Sequence, residues 1–406
     1  MKKLTLGLSL IIIIVIISIW YQNRSDLDNN FVSDDLLTSD EEVLLPQLQL
    51  VIDDHITTLS SDSENPTPIN LTPDSLMQFN FTTQPNNIVE TIYSNDNILL
   101  TDKIVETPLA LPQQEGIYKI ELTCTWEDYS STYSFFVFLD LPITYKINQH
   151  SAYPGDSFAI LISNVNEEEN FHVTAPFYNE ALDFYPYEDG FLCIIPIYAW
   201  STPGKYQIQA SNSEPALTNT FDVEILPKAF DVQYLQVTES TAAINTTDNS
   251  ANDQVYFDAA RSNPIQEKLW EGAFIQPTDG KVTTDYCATR YTNDNPTPSR
   301  HLAIDIANTN GTPIMASNHG KVVLAKELII TGNTIVIDHG LGIFTSSFHL
   351  SEIDVKEGDF VTKGDVIGKM GSTGYSTGPH LHFAIWKNGT FLNPWTFIEK
   401  DPVEFK

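Results

Sequence analysis

Short apolar stretches broken by polar clusters run through most of this chain. In residues 67–144 they are Met77–Phe81, Ile88–Tyr93, Ile98–Leu100, Ile117–Trp126 and Thr132–Leu139, with Asn and Asp between them. Residues 145–228 repeat the style in Ser157–Ile162, Phe171–Ala175, Phe191–Pro196, Tyr206–Ala210 and Thr220–Leu226. Strands of this length at this spacing predict two small β-sandwich domains. The echo of Gly116-Ile-Tyr-Lys-Ile in Gly204-Lys-Tyr-Gln-Ile marks the turn into a late strand of each. Residues 229–270 read as a linker: Thr241 to Asp253 is polar and Asn-rich, and Gln254 to Leu269 can hold a helix. From residue 271 to 406 strand-like runs resume, among them Leu381–Trp386, fed by a loop containing Gly371, Gly374 and Gly378.

The N-terminus follows a different pattern. Met1-Lys-Lys3 precedes an apolar run from Leu4 to Tyr21, interrupted by Thr5, Gly7, Ser9 and Ser18. This suffices for one membrane-spanning helix. The Lys pair places the N-terminus inside, and Trp20-Tyr21 falls at the far interface. No small-residue cleavage site follows, so residues 1–23 read as a retained anchor rather than a signal peptide. Residues 24–66 are rich in Asp, Glu, Ser, Asn and Pro, and read as an acidic, solvated stalk. The fold class expected is therefore mainly β: an N-terminal transmembrane helix, two β-sandwiches and a C-terminal antiparallel β-sheet domain.

Charge and cysteine content narrow the function classes. The net charge is −32, yet residues 264–406 hold 12 Lys and Arg against 16 Asp and Glu, while the residues before them hold 9 against 37. The acidity belongs to the N-terminal two thirds, and no basic surface is offered to nucleic acid. Cys124, Cys193 and Cys287 fall one per expected domain, which implies no disulfide framework.

Chemistry concentrates in the last third. Six of the nine His lie after residue 300. On a strand, His380 and His382 point to the same face. Alone, such a pair fits a solvated strand edge as well as a metal site. His301-Leu-Ala-Ile-Asp305 adds a His and a carboxylate four apart, and His349 follows Phe348. Two His and an Asp with one position left open make up a zinc hydrolase set.

These segments resemble the lysostaphin/LytM-type zinc metallopeptidases, which cut peptides of bacterial cell walls. The resemblance rests on HLAID, on Gly332-Asn-Thr-Ile-Val-Ile-Asp-His-Gly340, on Phe348-His-Leu350 and on Gly371-Ser-Thr-Gly-Tyr-Ser-Thr-Gly-Pro-His-Leu-His382, and it spans about residues 270 to 398 in the family's order. It implies an antiparallel β-sheet peptidase domain, with His301, Asp305 and His382 as ligands to Zn2+ and His349 and His380 as the catalytic pair. It implies hydrolysis of peptide bonds in peptidoglycan, by an enzyme of the bacterial envelope whose bulk lies on the extracytoplasmic side of the cell membrane. Protein partners stay open. The immunoglobulin-like character of the sandwiches is a weaker part of the same resemblance. The alternative is a non-catalytic regulatory or scaffolding protein of the same fold; such proteins typically lose ligands, and this chain has all of them.

Two positions depart from the family pattern. Ala303 stands where Gly is usual, and Cys287 lies near where a Gly often follows an aromatic. Leu302 and Ile304 suggest an extended segment in which His301, Ala303 and Asp305 share one face, with the Ala303 methyl narrowing the cleft.

Overall fold

The computed structural model describes residues 47–405 other than 53–54, 61–63, 73–74, 76, 95–98, 105–115, 166–170, 189, 213–217 and 294. The apolar run Leu4–Tyr21 and the stalk up to residue 46 lie outside the described residues. Among the described residues no helix is long and apolar enough to cross a membrane. The described chain is mainly β, and it separates into two compact units, 47–142 and 143–405.

In the first unit, five strands pair in the order Glu64–Leu71, Ser130–Leu139, Gly116–Thr125, Asn87–Tyr93 and Leu99–Ile104. A second sheet holds His55–Leu59, Leu48–Ile52 and Met77–Phe81. Ser130–Leu139 alternates strictly, burying every second residue. Its buried positions Tyr133, Phe135 and Val137 meet Leu48, Leu50 and Ile52 in one core. Leu48–Ile52 and His55–Leu59 fall inside the stretch expected to stay solvated as stalk. The spacing of Leu48, Leu50 and Ile52 explains the difference: three apolar residues at i, i+2 and i+4 form a buriable face, whatever the charge of their neighbours.

The second unit begins with two four-stranded sheets. One contains Ser157–Ser163 and Gly190–Pro196 as its central strands, and both are buried along their whole length. Phe158, Ile160, Ile162, Phe191, Cys193 and Ile195 face the partner sheet. The intervening Ala159, Leu192 and Ile194 face the other way, into the core of the C-terminal domain.

That domain is built on an eight-stranded antiparallel sheet. Its central strands run Ile304–Ala307, His380–Lys387, Phe344–Leu350, Gly332–Asp338 and Gly320–Leu328. The connection between the paired sheets and this domain holds a strand, Val232–Leu235, which pairs in parallel with Ala288–Thr292. It also holds a helix, Thr247–Arg261. The helix starts within the polar stretch expected to be a loop. Thr246 caps it by accepting a hydrogen bond from the Asn249 amide at 3.1 Å. The sequence looks loop-like because the buried stripe is narrow: Asp253, Phe257 and Arg261, one residue per turn. Phe257 packs on Phe348, beside His349, with ring centroids 5.6 Å apart.

Candidate metal and catalytic centre

Three adjacent strands carry the site. Asp305 pairs in register with His382, and His382 with Phe348 on the other side. His301 ends the short strand Ser299–His301. His301 Nε2 lies 3.0 Å from Asp305 Oδ1 and 3.0 Å from His382 Nδ1, and His382 Nδ1 lies 2.9 Å from Asp305 Oδ1. The same three atoms thus form a nearly equilateral triangle. Ligand atoms about 2.0–2.1 Å from a tetrahedral zinc stand roughly 3.3 Å apart, close to this spacing. The donor set, two imidazoles and a carboxylate, fits the same ion. His301 and Asp305 are buried and His382 is half-buried. Phe348 stacks on His382 with ring planes 8° apart and fixes its orientation. On the far side of His301, Nδ1 lies 3.3 Å from the Asp285 carbonyl, which directs Nε2 into the triangle.

His349 and His380 flank the triangle, their ring centroids 4.9 Å apart. Each is tethered through Nδ1 to a loop carbonyl, His349 to Thr373 at 2.8 Å and His380 to Gly378 at 2.8 Å. Donation from Nδ1 leaves Nε2 of each ring as the acceptor. His380 Nε2 lies 3.7 Å from Asp305 Oδ1. The five side chains expected from the sequence therefore meet in one place. Four of them, His301 excepted, line an open groove of about 520 Å³.

Two glycines bring the loop close enough to tether His349. A Cβ on Gly332 would lie 2.6 Å from the Thr373 carbonyl oxygen, and one on Gly374 would lie 2.4 Å from that of Ile330. Both also have φ near +70°. His349 itself sits at φ +63°, a left-handed conformation unusual for histidine at the end of a strand. It is held there by the Thr373 tether and by its amide, which donates to the Thr331 carbonyl at 2.9 Å.

The electrostatics follow from burial. Burial, then the neighbouring His382 and His380, pull the His349 pKa down to about 3, so the ring is neutral at pH 7. Burial also lowers His382 to about 4. For Asp305, burial pushes the carboxyl up, but hydrogen bonding and charge from His301 and His382 outweigh it and hold the group well below the usual carboxylate range.

The sequence expectation for Ala303 does not survive. A bend interrupts the chain between Ser299–His301 and Ile304–Ala307, so alternation does not run through residue 303. Ala303 is fully buried and does not line the groove. Its methyl therefore does not narrow the cleft, and its φ is not left-handed. Cys287 is likewise buried and away from the groove, with Sγ 3.6 Å from the Ala199 carbonyl. His339 is buried between the His319 carbonyl and Thr345 Oγ1, at 2.6 and 2.8 Å, and does not reach the groove. Arg290, Thr284 and Gln233 line the groove and were not singled out from the sequence. They carry no motif, and what brings Gln233 to the site is the parallel pairing of Val232–Leu235.

The profile of Peptidase family M23 matches residues 299–394. An uncharacterized metalloprotease of Buchnera aphidicola is 40% identical over 114 residues, 28% of this chain and 30% of that protein. The peptidoglycan DD-endopeptidase ShyA of Vibrio cholerae is 42% identical over 93 residues, 23% of this chain and 22% of that protein. Among solved structures, the catalytic domain of the antimicrobial peptidase lysostaphin from Staphylococcus simulans is 31% identical, with a TM-score of 0.25, covering 32% of this chain and 92% of that one. The chain spans less than a third of the length of the two curated relatives.

Proposed function

We propose that the chain, whose residues 299–394 match the profile of Peptidase family M23, is a zinc endopeptidase that hydrolyses peptide bonds in bacterial peptidoglycan. The observation that carries the reading is the convergence of three ligand atoms and two outward-tethered imidazoles at one point of an open groove. His301, Asp305 and His382 hold the ion. When bound there, zinc supplies a Lewis acid and makes water acidic enough to act as a nucleophile near neutral pH.

The remaining chemistry belongs to the protein. With their Nδ1 protons engaged by Thr373 and Gly378, His349 and His380 offer Nε2 lone pairs to the attacking water. His380 Nε2 lies 3.7 Å from Asp305 Oδ1, at the edge of the metal triangle. His349, neutral and buried, orients the water, and burial restrains it from holding a proton of its own. Once protonated, an imidazole can donate to the oxyanion of the tetrahedral intermediate or to the departing amine. An open groove between sheet edge and loops suits an extended peptide.

The proposal extends to location. Leu4–Tyr21 anchors the chain in the cell membrane as a single-pass helix, with the rest on the extracytoplasmic side of the envelope. Peptidoglycan there is the substrate within reach.

Digestion of purified peptidoglycan by the full chain, with metal content measured in parallel, tests the reading. The chain is expected to release peptide fragments and to carry about one zinc. His382→Ala should lose most of the metal, and His349→Ala should keep it while losing roughly 10²-fold or more of activity. A metal-loaded chain that cuts no wall peptide would favour a scaffolding role.

A further inference from the structure

Asp305 gives its two oxygens to different neighbours. Oδ1 is a corner of the metal triangle. Oδ2 accepts a hydrogen bond from Arg290 Nη2 at 3.1 Å, and the guanidinium and carboxylate form an ion pair. Arg290 is itself held in two more directions. Its Nε donates to Gln233 Oε1 at 3.1 Å, and its Nη2 reaches Thr284 Oγ1 at 3.4 Å. Gln233 Nε2 donates to Thr284 Oγ1 at 3.1 Å, closing a ring of three side chains. A planar guanidinium can make these differently directed bonds at once, and an ammonium cannot reproduce that fork. Gln233 comes from Val232–Leu235, a segment before the C-terminal domain, and neither it nor Arg290 lies within residues 299–394.

We infer that Arg290 is a positioning residue for the metal site: its guanidinium occupies Asp305 Oδ2, so that the carboxylate meets the ion through Oδ1 alone, and Gln233 locks the guanidinium in place. The inference rests on the zinc reading above. A carboxylate can offer an ion one oxygen or two. Two would fill the position that a catalytic zinc site must keep open. Arg290 removes that option by engaging the second oxygen. The segment joining the paired sheets to the peptidase is thereby part of the metal centre and not a passive tether. Partners that orient ligands in this way typically change metal affinity by about 10- to 100-fold when removed.

The test uses the full chain loaded with Zn2+ or with Co2+, whose visible absorption weakens as coordination rises above four. Arg290→Met is expected to lower zinc affinity about tenfold or more, measured by chelator competition, and to weaken the cobalt bands. Gln233→Met keeps the guanidinium but frees it, and should move both readouts the same way by less. The thermal transition of the metal-free variants checks that they fold. If the folded Arg290→Met chain keeps the wild-type cobalt spectrum and zinc affinity, the inference is overturned while the zinc reading stands. A wild-type chain that binds neither ion overturns the zinc reading and this inference with it.

Discussion

The two pairs of sheets upstream of the peptidase are both built from short strands, yet they bury themselves differently. In residues 47–142 the strand Ser130–Leu139 alternates between buried and half-exposed positions, and the core draws on that unit alone. In residues 143–228 the strands Ser157–Ser163 and Gly190–Pro196 are buried at every position. Alternate residues of these strands serve two different cores, one between the paired sheets and one shared with the peptidase. A strand with one wet face needs apolar residues at every second position, whereas a strand covered on both sides needs them throughout. Phe158-Ala-Ile-Leu-Ile162 and Phe191-Leu-Cys-Ile-Ile195 are such continuous runs. The second pair of sheets is thus a structural layer of the peptidase, and the strand it supports, His380–Lys387, carries His380 and His382 at its other end.

The strongest way to break this comparison is to cut one cavity in each core. Ile194→Ala and Ile120→Ala each remove a fully buried side chain and should each cost about 2–5 kcal/mol. Calorimetry of the full chain should show Ile120→Ala lowering the transition of residues 47–142 alone. Ile194→Ala should lower the transition that includes the peptidase and, with it, thermal retention of the metal. If Ile194→Ala shifts a transition of the paired sheets by themselves, the core is not shared.

A second test sits at the same junction. Lys387 is fully buried, with Nζ 3.2 Å from Tyr185 OH and 2.8 Å from Asn388 Oδ1. Burial pulls its pKa from 10.5 down to about 8, against the opposing pull of Asp183 and Cys193. Below pH 8 the lysine is charged both folded and unfolded, and the folded chain bears the full penalty of burying it. Between pH 8 and 10.5 the unfolded chain binds more protons, so this group makes stability rise with pH, by up to ~3 kcal/mol. Lys387→Met should be at least as stable as wild type at pH 7 and should lose that rise. Melting temperatures from pH 7 to 10 decide it; an unchanged slope in the variant would assign the rise to other groups.

Much of the site was legible in the sequence because its chemistry is packed into short local patterns. His380 and His382 are two apart on one strand, a spacing that converts directly into geometry, whereas His301 and Asp305 were brought together by their motif, since a bend lies between them. The strands themselves were legible as short apolar runs broken by polar clusters. Other features depend on which strands come together, and no local pattern states that. Gln233 reaches the centre through a parallel pairing across more than fifty residues. The left-handed backbone of His349 is held by its bonds to the Thr373 and Thr331 carbonyls, tertiary contacts that short-range propensity cannot express. The helix Thr247–Arg261 was legible only from Gln254 on; its first half was hidden because the buried stripe is one residue wide per turn.

The smallest effect expected tests how closely the paired sheets touch the peptidase. Cys287 sits at φ +63°, where a Cβ costs roughly 1–2 kcal/mol and glycine pays no such penalty. It stays there because its amide donates to the His301 carbonyl at 2.6 Å and its thiol reaches the Ala199 carbonyl, in the turn after Gly190–Pro196, at 3.6 Å. Burial pushes the thiol pKa up, so it remains a protonated donor. Cys287→Ala removes the thiol and keeps the strained backbone, so it should cost about 1 kcal/mol. Cys287→Gly removes the same contact but relieves the backbone, and should melt close to wild type, above the alanine variant despite being smaller. Zinc content should be equal in all three, because none changes a ligand. If glycine proves less stable than alanine, the Cβ packing against the paired sheets outweighs the strain it imposes. The junction would then be held by close packing at Cys287 itself, and the layer would be bound to the peptidase more tightly than the thiol contact alone requires.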